Sequence, residues 1–130
     1  MKTPKIDKYG YWMLFIIMFF LMGVSQQCQS QTKQDVRSYL NDIGCKHVDI
    51  VLAQARHETG NFTSYSCRVR HNLFGLRYNH KYMVFDNWKQ SCDKYMTSIQ
   101  YKYESGDYYE FLEQIGYATD TLYIYKLKQY

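Results

Sequence analysis

The sequence predicts a mainly α-helical domain of about five helices with one short β-hairpin. Three observations lead there. Apolar residues recur at intervals of three and four along several segments, which places them on one face of a helix. Three of those segments open on a capping pair, and three close on a glycine. A turn signal flanked by β-forming residues occurs once, after the second helical segment. The 130 residues suit a single domain, and 46% hydrophobic against 22% charged residues favours a packed core over disorder. There is no internal repeat.

Residues 1–25 read as a signal peptide or membrane anchor. Lys2, Lys5 and Lys8 form a basic start, and Tyr11 to Val24 is almost entirely apolar. That run falls short of the ~20 residues that span a bilayer comfortably and matches an export signal better. Gly23 and Ser25 are small residues spaced as a cleavage site requires. Cleavage after Ser25, retention as an anchor and lipidation of Cys28 are three alternative fates. Each places the domain outside the cytoplasm, in the periplasm or cell envelope. Residues 26–31 are rich in Gln and Ser and read as a linker, leaving 32–130 as the domain.

Thr32 and Asp35 have the spacing of a capping box. Val36, Tyr39, Leu40 and Ile43 then define one buried face, and Gly44 stops the helix. A second helix runs from about His47 to Thr59 on the stripe Val48, Val51, Leu52 and Ala55, and Gly60 ends it. Asn61 to Asn72 reads as a loop. Leu73 to Tyr78 and Tyr82 to Phe85 flank Asn79-His80-Lys81 as a hairpin. Asn87 and Gln90 cap a helix carrying Trp88, Cys92, Tyr95, Met96, Ile99 and Tyr103, with Trp88 expected in the core. Asp107 and Glu110 cap the next, lined by Phe111, Leu112 and Ile115 up to Gly116. Thr119 or Asp120 opens a last helix bearing Leu122, Tyr123 and Leu127.

Composition excludes several functions. Of the net charge of +4, Lys2, Lys5 and Lys8 less Asp7 supply +2, which leaves +2 spread over the remainder. No basic stripe of the kind nucleic-acid binding uses is present, so no nucleic-acid partner is expected. The four cysteines form no CxxC pair, which gives zinc or dithiol chemistry no support. His57-Glu58 matches the start of the zinc motif HExxH, but Asn61 occupies the second histidine position. No metal or other cofactor is expected. Aromatic residues reach 18% and most are tyrosine, a side chain with an apolar body and a polar tip. A tyrosine-filled core and a glycan-facing surface are both compatible with that.

One acid stands out. Extending the stripe of the second helix three residues past Ala55 lands on Glu58, in the last turn of a face aimed at the core. Burial and the negative end of the helix dipole both oppose its ionisation. A carboxyl kept protonated near neutral pH is what general-acid chemistry requires. Pairing with Arg56 or Arg77, or a turn toward solvent, is the structural alternative.

The run Ala53-Gln54-Ala55-Arg56-His57-Glu58-Thr59-Gly60-Asn61-Phe62 resembles the catalytic helix of bacterial glucosaminidase domains, which hydrolyse peptidoglycan. Asn72-Leu73-Phe74-Gly75-Leu76-Arg77 is similar to that family's second hallmark. Gly116-Tyr117-Ala118-Thr119-Asp120, followed by Tyr123 and Lys126-Leu127, is similar to its third. The three occur in the family's order, and the resemblance covers about Thr32 to Gln129. It implies a lysozyme-like helical fold with Glu58 as the acid that protonates the glycosidic oxygen. It also implies that Tyr117 lies near the reacting sugar, and that Asn72 and Phe74 build the cleft floor or the hairpin lobe. The implied reaction is cleavage of the β-1,4 bond of peptidoglycan strands on the reducing side of N-acetylglucosamine.

Glycoside hydrolases generally use two carboxylates. After Glu58 the next acid is Asp86, which is also placed to cap the helix at Trp88; Asp120 is the other candidate. Where a second carboxylate is absent, the 2-acetamido oxygen of the substrate can serve as nucleophile, with Tyr117 steadying the developing positive charge or orienting the acetamido group. A lytic transglycosylase or muramidase of the same fold class, and a non-catalytic wall-binding domain, are the alternative readings.

Overall fold

The computed structural model describes residues 31–117 and 119–130. Residues 1–30, with the expected signal peptide or anchor and nearly all of the linker, lie outside the described residues. Among the described residues there are six α-helices and one two-stranded antiparallel sheet.

Helix α1 is Lys33–Asp42. Its capping box is present as the sequence predicts, with the Asp35 amide donating to Thr32 Oγ1 at 3.1 Å and the Thr32 amide to Asp35 at 2.8 Å. At the other end the Cys45 and Gly44 amides donate to the Leu40 and Asn41 carbonyls, and Gly44 takes φ +74°. That left-handed glycine closure satisfies carbonyls the helix leaves open. Helix α2, Val48–Thr59, lies against α1 and forms the centre of the domain. Its buried face is wider than the apolar stripe, since Gln54 and Thr59 are as inaccessible as Val51 and Ala55.

Helix α3, Tyr65–Arg70, occupies the segment read as a loop. Ser64 caps it, accepting from the Cys67 amide at 3.2 Å. Strands β1 (Arg77–Tyr78) and β2 (Lys81–Tyr82) pair Arg77 with Tyr82 and Tyr78 with Lys81. The turn is therefore the two residues Asn79-His80, both at positive φ (47° and 63°), as a type I′ hairpin requires. The sheet is shorter than expected, because the flanking Leu73, Phe74 and Leu76 are buried in the core.

Helix α4, Trp88–Ser98, is capped by Asn87. It breaks at Ile99 into a 3₁₀ turn, Gln100–Lys102, and does not run on to Tyr103. The buried Gln100 side chain bonds the Lys46 amide and carbonyl at 2.7 and 2.8 Å, a tertiary tie that holds the break. Trp88 is half-buried, not core, with its ring edge-on to Tyr39. Cys92 is fully buried on α4, the small core residue its place in the stripe suggests, and Cys45 and Cys92 are free thiols. Helix α5, Tyr108–Gln114, is capped by Asp107; α6, Tyr123–Leu127, returns to pack on α2.

One side chain closes the hairpin lobe on itself. Asn72 donates to the Leu76 and Met83 carbonyls at 2.8 and 3.0 Å and accepts from the Leu76 amide at 2.9 Å. It is 1% exposed, so water cannot replace these bonds. Asn72→Ala should cost about 3 kcal/mol or more, since buried main-chain groups would be left without partners. Urea unfolding of the two proteins checks this.

Candidate active site

Helix α2 ends by an unusual route. Gly60, Asn61 and Phe62 take φ of 54°, 57° and 68° in succession. Left-handed backbone at Asn and Phe is unfavourable and persists only where surrounding bonds over-determine it. Here the Asn61 amide bonds the Arg56 carbonyl at 2.8 Å and the Phe62 amide bonds Thr59 Oγ1 at 2.9 Å. Thr59 Oγ1 in turn donates to the Ala55 carbonyl at 2.6 Å, which explains why a threonine is buried there. The turn puts Phe62 into the core and leaves Glu58 facing a cleft.

The cleft has a volume of about 700 Å³ and runs between the hairpin lobe, α4 and the segment after α5. Glu58, Phe74, Gly75, Arg77, Tyr117 and Asp120 are among its lining residues. Glu58 is half-buried at its wall. Burial raises its pKa above the ordinary 4.5, opposed by a hydrogen bond from Tyr123 and by the charge of Arg77. The structural alternative of pairing with Arg56 does not hold. Arg56 donates instead to Asn61 at 2.9 Å and to the Tyr130 carbonyl at 3.1 Å. Among the described residues the close ion pairs are Arg37–Asp49 and Lys126–Asp120, and neither involves Glu58.

Gly75 explains itself at this point. It takes φ +61°, and a Cβ there would lie 2.9 Å from Glu58 Oε2. The chain therefore passes so close to the carboxyl that a Cβ there would require the Glu58 side chain to shift, and Gly75 forms part of the surface that dehydrates it.

Phe74 is 2% exposed, with its ring 4.4 Å from that of Tyr95. Its carbonyl accepts from the Tyr117 hydroxyl at 2.8 Å, which links the hairpin lobe to the segment after α5. Tyr117 is half-buried, and burial raises its pKa well above 10, so it is a neutral phenol with oxygen lone pairs available. Glu58, Phe74 and Tyr117 are thus brought together. Asn72 does not line the cleft; its amide is engaged with Leu76 and Met83 behind the wall.

The two other acids separate. Asp86 is exposed, bonds Gln90 and lies away from the cleft lining, while Asn87 does the capping. Asp120 is at the cleft, exposed, and bound to Lys126 and to the Leu122 amide. Those contacts lower its pKa, so it is ionised. The sequence reading missed Gly75, Tyr123 and Gln54 as parts of the site. Tyr123 had been placed on an apolar stripe, and Gln54 stood in the motif run with no role assigned.

Gly75→Ala and Gly60→Ala each force an alanine into left-handed backbone, at about 1–2 kcal/mol. Only at position 75 does the added methyl also meet Glu58; at Gly60 the nearest atom is Thr63 Oγ1 at 3.6 Å. In a double-mutant cycle, Glu58→Ala should therefore relieve part of the cost of Gly75→Ala and none of that of Gly60→Ala. Denaturant unfolding of the singles and doubles reads both couplings.

A family model for glucosaminidases, described as mannosyl-glycoprotein endo-beta-N-acetylglucosaminidase, matches residues 33–130. No curated protein and no solved structure gives a significant match.

Proposed function

Because the chain belongs to the glucosaminidase family, we propose that it is a peptidoglycan endo-β-N-acetylglucosaminidase with Glu58 as its general acid. One observation carries the reading. A carboxyl held toward its protonated form faces a cleft large enough for sugar rings, with a neutral tyrosine beside it.

In the first step the Glu58 O–H gives its proton to the glycosidic oxygen as the bond from C1 to that oxygen breaks. The carbonyl oxygen of the substrate's own 2-acetamido group bonds to C1 in the same step, giving an oxazolinium. Water then attacks C1, the bond to the acetamido oxygen opens, and the Glu58 carboxylate takes the water proton. Tyr117 donates its proton to Phe74, which leaves its oxygen to accept from the acetamido N–H. Asp120, ionised and at the cleft, supports a second reading in which it activates the water as a base. Residues 1–25 deliver the domain to the envelope, where its substrate lies.

Glu58→Gln keeps the shape and removes the transferable proton. Folding should survive while hydrolysis falls by about 10²–10⁴-fold, as for loss of a general acid. Asp120→Asn keeps the oxygen that accepts from Leu122 and should retain most of the rate; a fall as deep as that of Glu58→Gln selects the two-carboxylate reading. Borohydride-reduced digests of peptidoglycan should carry reduced N-acetylglucosamine at the new ends. Reduced muramic acid would make the protein a muramidase, and anhydro-muramic ends a lytic transglycosylase.

A further inference from the structure

The cleft beside Glu58 carries positive charge that the reaction as written does not use. Arg77 stands on its hairpin wall, and Lys94 and Lys102 stand where α4 and the 3₁₀ turn after it form the lining. All three are exposed. Among the described residues none of them takes part in a close ion pair, whereas Asp120, an acid of the same lining, is paired with Lys126. Glu58, the other acid there, is uncharged in the state that donates a proton. Arg77, Lys94 and Lys102 are therefore left as uncompensated charge where the ligand binds.

The two walls hold these cations differently. Arg77 and Tyr82 are directly opposite in the hairpin, so their side chains share one face. The guanidinium lies over the Tyr82 ring at 4.1 Å and also donates to the Tyr82 hydroxyl, while Arg70 stands over the same ring at 5.3 Å. An arginine fixed in this way loses little freedom on binding, and its remaining N–H groups form a fork that matches a carboxylate. Lys94 lies one helical turn before Ser98, on the face of α4 that lines the cleft. Its neighbour Asp93 is occupied elsewhere, accepting from the Tyr39 hydroxyl at 2.9 Å. Lys102 is shared with a second pocket lined by Glu104, Asp107 and Glu110, so the selective charge rests on Arg77 and Lys94.

We propose that Arg77 and Lys94 are specificity-determining residues that bind carboxylates borne by the glycan strand, so that the cleft selects an anionic strand over a neutral polymer of N-acetylglucosamine. The inference rests on the reading of the cleft as the glycan site and adds the charge of the substrate to it. The sugar rings themselves are neutral. In peptidoglycan the acidic groups are the lactyl carboxyl of the muramic residue, free where the peptide has been removed, and the carboxyls of the peptide where it is present. Either source supplies the same chemistry to the two cations.

Binding is measured by calorimetry at low salt in the Glu58→Gln protein, which separates recognition from bond cleavage. The probes are glycan strands stripped of peptide, the same strands with their carboxyls converted to methylamides, and peptide-bearing strands. At least one of the two charged strands should bind about tenfold tighter than the methylamide, and added salt should narrow the gap. The strand that shows the preference identifies the lactyl or the peptide group as the source. Adding Arg77→Gln should weaken binding of that strand about tenfold, and Lys94→Gln about threefold, with methylamide binding unchanged. Lys89→Gln is the control. It removes the same charge from the same helix, but Lys89 stands over Tyr39 and Trp88, outside the cleft, so binding should stay as in Glu58→Gln alone. Equal binding of all three probes overturns the inference, as does a preference that survives both Arg77→Gln and Lys94→Gln, or a loss of equal size in Lys89→Gln. Binding to none of the probes would overturn the glycan site itself. Digests with muramic acid ends would revise the bond that is cut and leave the carboxylate preference standing.

Discussion

The structure is organised around a carboxyl placed where water is scarce. Glu58 stands at the end of the central helix, with the chain at Gly75 pressed against one of its oxygens. An ionisable group in that position opposes folding whenever it is charged. Its surroundings are the features that reduce this penalty without removing it. Tyr123 and the charge of Arg77 both favour the ionised form against the burial that opposes it. Neither forms the tight ion pair that would leave the acid permanently deprotonated, and Arg56, the nearest cation in sequence, is held elsewhere.

Much of the remaining architecture keeps Gly75 and Tyr117 in register with that carboxyl. Asn72 closes the segment before the hairpin by bonding three main-chain groups, so Gly75 approaches Glu58 on a fixed path. The hydroxyl of Tyr117 holds the Phe74 carbonyl and thereby ties the segment after α5 to the same segment. The left-handed turn over Gly60, Asn61 and Phe62 ends α2 abruptly, so no further helical turn covers the acid. Fold and site share these residues, which is why a family motif here mixes packing groups with chemical ones.

Local signals in the sequence predict the elements that local physics controls. Thr32 with Asp35, Asn87 with Gln90 and Asp107 with Glu110 mark three helix starts, and each bonds as its spacing implies. Helix α3 escaped because six residues are too few to display a period. The break at Ile99 escaped because its cause, Gln100 reaching Lys46, lies 54 positions away in sequence. The candidate acid was legible, since the apolar stripe of α2 runs onto Glu58. Its partners were not. Gly75 and Tyr123 meet it only through tertiary folding, and Gln54, wholly buried, lies off the apolar stripe from which the helix face was read. Asp86 and Asp120 were equivalent candidates by sequence, and only the fold places one of them at the cleft.

If Glu58 is held in this way for chemistry, the fold must be weaker for it at neutral pH. Its pKa is raised by burial, so the folded state binds the proton more tightly than the unfolded chain. Its contribution is then most favourable below the ordinary value of 4.5 and is lost as the pH rises through the higher value of the folded state. Glu58→Gln carries no such dependence. The most direct measurement is urea unfolding of both proteins between about pH 4 and pH 8. The account predicts that Glu58→Gln is the more stable protein near neutrality and that the difference closes toward the acid end. A Glu58→Gln protein no more stable than the parent near neutral pH would contradict it.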